Sequence, residues 1–361
     1  MVKSLQVEEY LEKSEASGLI TAINHKLIDV RTPSEFNQGH IPGSKNIPLF
    51  NDSERVVIGT IYKQQGKQAA VAKGLELIGP RMNEIIQNCT SMTTENTLFI
   101  HCWRGGMRSC SVAWLLDLYG LNIFTLKGGY KAFRRFVFSA FAEKRTIKIL
   151  GGRTGSSKTK VLHGLSEMGE QMIDLEKLAD HKGSSFGALG EQEPSTQEQF
   201  ENQLSIELKK SNPAKATWLE DESRLIGKKV IPQSLWNQMR EAEVIYLDIP
   251  FAERAQYLTR EYGKFSKTEL SEAITRISRR LGSEQTKNAL AALAEDNLQT
   301  VCEICLRYYD KSYDHNLNQR DPTTIKKYVF EKIDAEAMAE KITSPHYPFI
   351  YLYATLKGLR K

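Results

Sequence analysis

The chain has 361 residues, long for one domain and ample for two, and its 40% hydrophobic content can supply ordinary buried cores. No window approaches the roughly 18 consecutive apolar residues of a membrane span, and the acidic, polar start MVKSLQVEEYLEKSEASGLI does not read as a secretory signal. Five cysteines without framework spacing point to a reducing cytoplasm, and a net charge of +5 is too mild by itself to announce nucleic-acid binding.

In chain order, KLIDVR reads as a buried strand ending at Asp29 and Arg31, and PSEFNQGHIPGSKNIPL as a loop rich in turn residues. NTLFIH is a second strand, and it delivers Cys102 at its C-terminal end. SCSVAWLLDLYG has helical periodicity, with Val112, Leu115, Leu116 and Tyr119 on one side. Strand, cysteine loop and helix form a geometry in which backbone N–H groups and a helix N-terminus converge on an anion. The loop residues Trp103, Arg104, Gly105, Gly106, Met107, Arg108 and Ser109 add two arginines and a glycine pair that lets the loop curl. Such a field favours a thiolate and makes Cys102 the candidate catalytic nucleophile. A lone cysteine is otherwise a small buried hydrophobe. That plainer reading is kept for Cys110, expected in the helix core, while Cys89 has no context.

The clearest break lies near residues 141–147. There LKGGYKAFRRFVFSAFAEKRTIKILGG passes from a Gly-Gly turn through an amphipathic helix, with Phe133, Val137, Ala140 and Phe141 on one face, into a new strand. This places one domain at 1–140 and a second at 141–361.

The second domain opens with TIKILGGRTGSSKTKVLHGL: a strand, a Gly-rich turn, Lys-Thr and a helix start. Cradling phosphate needs small residues so that amides can approach the oxygens, a lysine for charge and a hydroxyl for Mg²⁺. Gly152, Arg153, Thr154, Gly155, Ser156, Ser157, Lys158 and Thr159 fit that pattern, with Ser157 where the last glycine normally stands. EQMID and KATWLEDES read as further strands, ending at Asp174 and at Glu220 and Asp221. Acidic residues at that sheet edge are candidates for holding Mg²⁺ or for a catalytic base, the alternative being a solvated capping cluster. AEVIYLDIP makes a fourth strand, and the alternation of strands with helices argues for an α/β parallel sheet. From about residue 250 the pattern is mostly helical. Cys302 and Cys305 lack the second ligand pair of a metal site and read as helix core.

LIDVRTPSEFNQGHIPGSKNIPL, the cysteine loop and FTLKGGYKAFR together resemble the rhodanese family over residues 26–135. The Cys-x5-Arg spacing of Cys102 and Arg108 also occurs in rhodanese-like phosphatases, so a phosphatase or sulfurtransferase competes here, as an ATP-dependent enzyme does for the second domain. The combination resembles the bacterial tRNA 2-selenouridine synthase family almost end to end. The pieces that carry this are ERVVIGTIYKQQG (54–66), HCWRGGMRS (101–109), GGRTGSSKT (151–159), DLEKLADHKGSSFG (174–187) and LEDESRLIGKKVIP (219–232). The resemblance implies a rhodanese-like α/β domain followed by a P-loop NTPase-like parallel-sheet α/β domain with a helical C-terminal part. It implies a transferase that replaces the sulfur of 2-thiouridine at the tRNA wobble position with selenium, after S-geranylation from geranyl diphosphate. Selenophosphate is then the selenium donor, held at the Cys102 loop, and the diphosphate is held at the P-loop. It implies no tightly bound cofactor beyond Mg²⁺ as a candidate ion, no membrane, and as partners tRNA and the selenophosphate-producing enzyme.

For the tRNA, residues 127–148 hold seven basic residues (Lys127, Lys131, Arg134, Arg135, Lys144, Arg145, Lys148) against one acid, Glu143. This run joins the two candidate loops and is expected to track a phosphate backbone. Arg276, Arg279, Arg280 and Lys287 form a second patch, for which a solvated face is an equal reading.

Overall fold

A computed structural model describes residues 2–15, 26–93, 95–181 and 195–351. The chain divides into two compact units: Met1–Ala140 together with Glu198–Ile206, and Phe141–Gln197 together with Glu207–Lys361. The nine residues 198–206 thus belong with the first unit, an exchange that contiguous domains 1–140 and 141–361 do not contain.

The first unit is built on five strands: β1 (Lys3–Leu5), β2 (Leu27–Asp29), β3 (Lys45–Asn46), β4 (Thr97–His101) and β5 (Asn122–Leu126). They lie in the order β1-β5-β4-β2-β3, all parallel, with Asp29 opposite His101. Parallel strands are covered on both faces and read as continuous apolar runs, and Leu98–Ile100 of β4 are accordingly buried. Helix α1 (Val7–Glu15) follows β1, and α2 (Pro33–Gln38) follows β2. Helix α2 stands where a loop was expected. Thr32 and Glu35 close a reciprocal capping box around it, and Pro33 presets its first turn.

The β3–β4 connection carries α3 (Asp52–Gln65), α4 (Lys67–Ile78) and α5 (Met82–Thr90). Helix α6 (Met107–Leu118) leaves the cysteine loop, and α7 (Gly129–Ala142) follows β5. Val112, Leu115 and Leu116 of α6 are buried as expected, but Tyr119 is exposed, and so is Cys110, contrary to its expected place in the core. Phe133, Val137, Ala140 and Phe141 of α7 form one buried face.

In the second unit, β6 (Ile147–Gly152), α8 (Lys158–Glu167), β7 (Gln171–Met172) and α9 (Leu175–Leu178) come first. Helix α10 (Gln197–Lys210), which contains the exchanged segment, leads to β8 (Thr217–Glu220), the short antiparallel pair β9 (Leu225–Ile226) and β10 (Lys229–Val230), α11 (Gln233–Glu241) and β11 (Glu243–Asp248). Helices α12 (Phe251–Tyr262), α13 (Lys267–Leu281), α14 (Ser283–Ala294) and α15 (Leu298–Leu317) give the helical part. They are followed by β12 (Ile325–Val329), α16 (Ala335–Thr343) and β13 (Ile350–Tyr351). The sheet order is β13-β12-β11-β6-β8-β7, parallel except for β13. The region beyond 250 therefore returns a strand, β12, to the parallel sheet beside β11. Its two lysines at 326 and 327 interrupt the apolar run that marks the other inner strands. Cys302 and Cys305 are buried on α15, as expected. Among the described residues no helix is long and apolar enough to cross a membrane.

Candidate functional site

Cys102 sits directly after β4, buried, with its Sγ 3.2 Å from Ser109 Oγ and 3.9 Å from the Gly106 carbonyl. Helix α6 begins at Met107 with Gly106 as its N-cap and no capping side chain, so its first-turn N–H groups are left to an outside acceptor. The loop is clamped from behind by the turn after β5. Tyr130 N donates to Cys102 O at 2.8 Å and Lys131 N to Trp103 O at 2.9 Å. Two glycines make this approach possible. A Cβ on Gly129 (φ +59°) would fall 2.3 Å from Cys102 O, and one on Gly105 (φ +65°) 2.6 Å from Leu126 O. The KGGYK sequence is thus a mould for the cysteine loop, a role its turn signal alone did not disclose.

The two arginines of the loop part ways. Arg104 is exposed, whereas Arg108 makes a bidentate pair with Glu35, Nη1–Oε2 2.5 Å and Nη2–Oε1 3.2 Å. The Arg108 pair, with the Thr32 N–H, outweighs the upward push of burial and holds the Glu35 carboxyl below its ordinary value. Behind the loop is a buried cluster absent from the sequence-based site. Asp29 accepts Arg31 Nη2 at 2.6 Å, His101 Nε2 lies 3.3 Å from Asp29, and Tyr10 OH is 3.3 Å from His101 Nδ1. Burial would push Asp29 up, but His101 and Arg31 together bring it well below the carboxylate range. The Arg31 guanidinium packs 3.8 Å above the Tyr130 ring and 5.7 Å from that of Trp103.

In the second unit the Gly152–Thr159 turn leaves β6 and enters α8. Ser157 is left-handed, φ +58° and ψ +29°, and its buried Oγ has no partner. The position demands the backbone for which glycine is normally chosen. Ser156 Oγ donates to Arg153 O at 2.6 Å, and Lys158 Nζ to Gly152 O at 3.2 Å. Gly155 (φ +81°) packs against the carbonyl of Arg254, whose guanidinium donates to Thr154 O at 3.0 Å. Arg153 is held by a bidentate pair with Asp314.

The candidate acids are redistributed. Asp174 caps α9 and lies 3.1 Å from His163 Nε2. Asp221 accepts Tyr313 OH at 2.8 Å and Arg320 Nη2 at 2.6 Å, a structural pairing beneath β6, where Tyr313 OH also accepts Gly152 N. Glu220 instead gathers with Glu176 and Glu222, one carboxylate oxygen of each within 4.8 Å of the others. The signal was present in LEDES. Extended chain alternates sides, so 220 and 222 share a face and 221 points away. Thr159 Oγ1 donates to Glu176 at 3.2 Å. Burial first, then the neighbouring carboxylates, push Glu176 up to about 9 and Glu222 up to about 8, with Lys158 opposing. Burial likewise raises Glu220, one of whose oxygens is buried without a partner. Three carboxylates, one of them (Glu220) with an orphaned buried oxygen, beside the Thr159 hydroxyl fit a divalent cation such as Mg²⁺. Residues 182–187 of the 174–187 motif lie outside the described residues.

Of the basic run, Lys127, Lys131, Arg135 and Lys144 are exposed. The other three are used in packing. Arg134 binds Glu201 and Asn202, Arg145 binds Leu208 O, Ser211 and Glu143, and Lys148 lies 5.0 Å from the Trp218 ring centre. Arg276, Arg279, Arg280 and Lys287 are exposed on α13 and α14.

A cysteine loop at the strand end of a parallel sheet, joined in one chain to a P-loop-like unit with a carboxylate cluster, is an arrangement suited to a two-domain group-transfer enzyme. Residues 12–136 match the rhodanese-like domain family, and residues 145–343 match the tRNA 2-selenouridine synthase AAA domain. A tRNA 2-selenouridine synthase from Shewanella woodyi is 36% identical over 340 residues, 84% of this chain and 91% of that one. One from Shewanella frigidimarina is 33% identical over 356 residues, 88% and 95% of the two chains. One from Nitrosomonas europaea is 39% identical over 245 residues, 65% of this chain and 63% of its own length. The chain belongs to the tRNA 2-selenouridine synthase family, and it is a transferase.

Proposed function

We propose that this protein converts 2-thiouridine at the wobble position of tRNA to 2-selenouridine in two steps that use its two anion loops. In the first, the thione sulfur attacks C1 of geranyl diphosphate. The C–S bond forms, the C1–O bond breaks, diphosphate leaves with the electron pair and the N3 proton is released. The Gly152–Thr159 loop holds the diphosphate, and Lys158 meets the negative charge that grows on its oxygens. A Mg²⁺ held by Glu176, Glu220, Glu222 and Thr159 would add neutralising charge there.

In the second step the selenium of selenophosphate attacks C2. The C2–S bond breaks, and the geranylthiolate departs and takes up a proton. Water cleaves the remaining Se–P bond, releasing phosphate and leaving 2-selenouridine. The Cys102 loop holds selenophosphate through the α6 N-terminus and Arg104, with the Cys102 thiol at its selenium end. The observation that carries the reading is the pairing, in one chain of this family, of an uncapped thiol loop with a lysine-bearing phosphate loop. Exposed Lys127, Lys131, Arg135 and Lys144 supply the tRNA backbone contacts. We place the reaction in the cytoplasm.

The test is mass spectrometry of wobble nucleosides after incubating the protein with thiolated tRNA. Geranyl diphosphate alone is expected to yield S-geranyl-2-thiouridine, and selenophosphate added afterwards 2-selenouridine. Absence of both products, with the protein folded, refutes the proposal.

A further inference from the structure

The segment ERVVIGTIYKQQG serves neither anion loop, yet it forms most of α3. That helix is fixed at its start by a capping box of Asn51 and Glu54, and it carries Val56, Val57, Ile58, Ile61 and Tyr62 without burying a single residue. Val56 is 69% exposed and Tyr62 51%. Leu75 on α4 is 59% exposed, and Trp114 on α6 likewise 59%. So much apolar surface gathered in one place marks a binding surface. Val56, Tyr62, Leu75 and Trp114 line one cleft of about 1430 Å³, and Cys102, Trp103 and Arg104 stand in the same wall. Small-molecule pockets commonly span about 300–1,000 Å³, so this one has room for a nucleoside together with a long substituent.

We infer that this cleft receives the ten-carbon allylic chain of the S-geranylated uridine during the selenium step, an inference that rests on the proposed two-step reaction. The chain is attached to the sulfur that leaves from C2. A base presented to the thiol loop therefore carries its chain within a few bonds of Cys102, and the apolar wall contiguous with that loop is where the chain lies. Arg55 and Lys63 in the cleft suit the phosphates flanking the base. The cleft thereby makes the prenyl group a recognition element, selecting the geranylated intermediate over unmodified 2-thiouridine at the selenium step.

The experiment uses the full chain and anticodon stem–loop RNA carrying either S-geranyl- or S-methyl-2-thiouridine. Each buried methylene is worth about fourfold in affinity, so partial burial of the longer chain predicts roughly 100-fold tighter binding of the S-geranyl RNA. Val56→Asp and Leu75→Asp, both at exposed positions, are expected to cut that preference about tenfold. They should leave S-methyl RNA affinity, melting temperature and geranyl transfer from geranyl diphosphate within about twofold of the parent. A diazirine placed on the geranyl chain is expected to label peptides from residues 52–78, an outcome that does not depend on any variant.

Parent protein without a chain preference overturns the inference, as does a preference unchanged in both variants or a label confined to other peptides. A dimer that dissociates in Leu75→Asp while the chain preference persists makes the face a contact between copies and also overturns it. Failure of the parent to form S-geranyl- or selenouridine sinks the two-step reading itself, a separate result.

Discussion

Replacing Ser157 by glycine tests the phosphate loop at the point where it departs from its usual pattern. The residue is left-handed at φ +58°, and its buried hydroxyl is unpaired. A side chain in that backbone region costs about 1–2 kcal/mol. The extra freedom of glycine in the unfolded chain takes back about 0.5–1 kcal/mol. The balance is a gain of about 0.5–1 kcal/mol, before any benefit from removing an unpaired hydroxyl. For a unit of this size about 1 kcal/mol moves the melting midpoint by roughly 2–4 °C, so calorimetry of Ser157→Gly should show the second-unit transition raised by about 1–4 °C. Inorganic diphosphate should bind at least as tightly as to the parent, because the amides of the turn keep their directions. A lowered midpoint together with weakened diphosphate binding would refute the reasoning, showing that the serine is an adapted part of the loop.

Cys102→Ala is expected to abolish selenium incorporation while melting and geranylation stay close to the parent; nucleoside mass spectrometry after each step checks this, and equal loss of both activities argues against a division of labour. Lys158→Ala should slow geranyl transfer about 100- to 1,000-fold, the loss of roughly 3–4 kcal/mol of preorganised charge stabilisation, with tRNA affinity falling only mildly. A normal transfer rate with a flattened salt dependence of binding would instead make the loop an RNA contact. Glu176 and Glu222 are raised to about 9 and about 8, so they stay protonated in the folded unit where the unfolded chain has already ionised. Stability is then greatest below the ordinary carboxylate range and falls as pH rises towards 8–9. Melting of the second unit should drop between pH 5 and 9, and Mg²⁺ should restore more of it at pH 9 than at pH 6; a flat profile insensitive to Mg²⁺ would dismiss the cluster as an ion site.

Local signals made much of this molecule legible. The inner strands β4, β6, β8 and β11 are apolar runs because parallel sheets are covered on both sides, and the two candidate loops are marked by glycine and charge at a strand end. The strand β12 was hidden because Lys326 and Lys327 break its run. Helix α2 was hidden because its Thr32–Glu35 signature is set among prolines and glycines. The fates of charged side chains were hidden for a different reason. Arg108 finds Glu35 from 73 residues away, and Tyr313 reaches Asp221 across 92, distances at which spacing carries no information. Glu222 could have been found from alternation alone. Glu176 could not, since only the tertiary arrangement brings α9 to the end of β8.

The exchanged segment has a consequence for anyone who would take the protein apart. Within the first unit Tyr130 OH donates to Glu198 at 2.7 Å, Arg134 to Asn202 at 2.6 Å, and Asn202 to the His40 carbonyl at 2.9 Å. Residues 198–206 that furnish these partners are flanked on both sides by stretches of the second unit. The chain therefore passes between the units three times, at 140/141, 197/198 and 206/207. A single cut at residue 140 would yield a rhodanese-like fragment stripped of a helical strap, with Tyr130 and Arg134 facing solvent in place of Glu198 and Asn202. Gene fusion or fission at that point would not separate two modules, and the two units are inherited as one piece of chain.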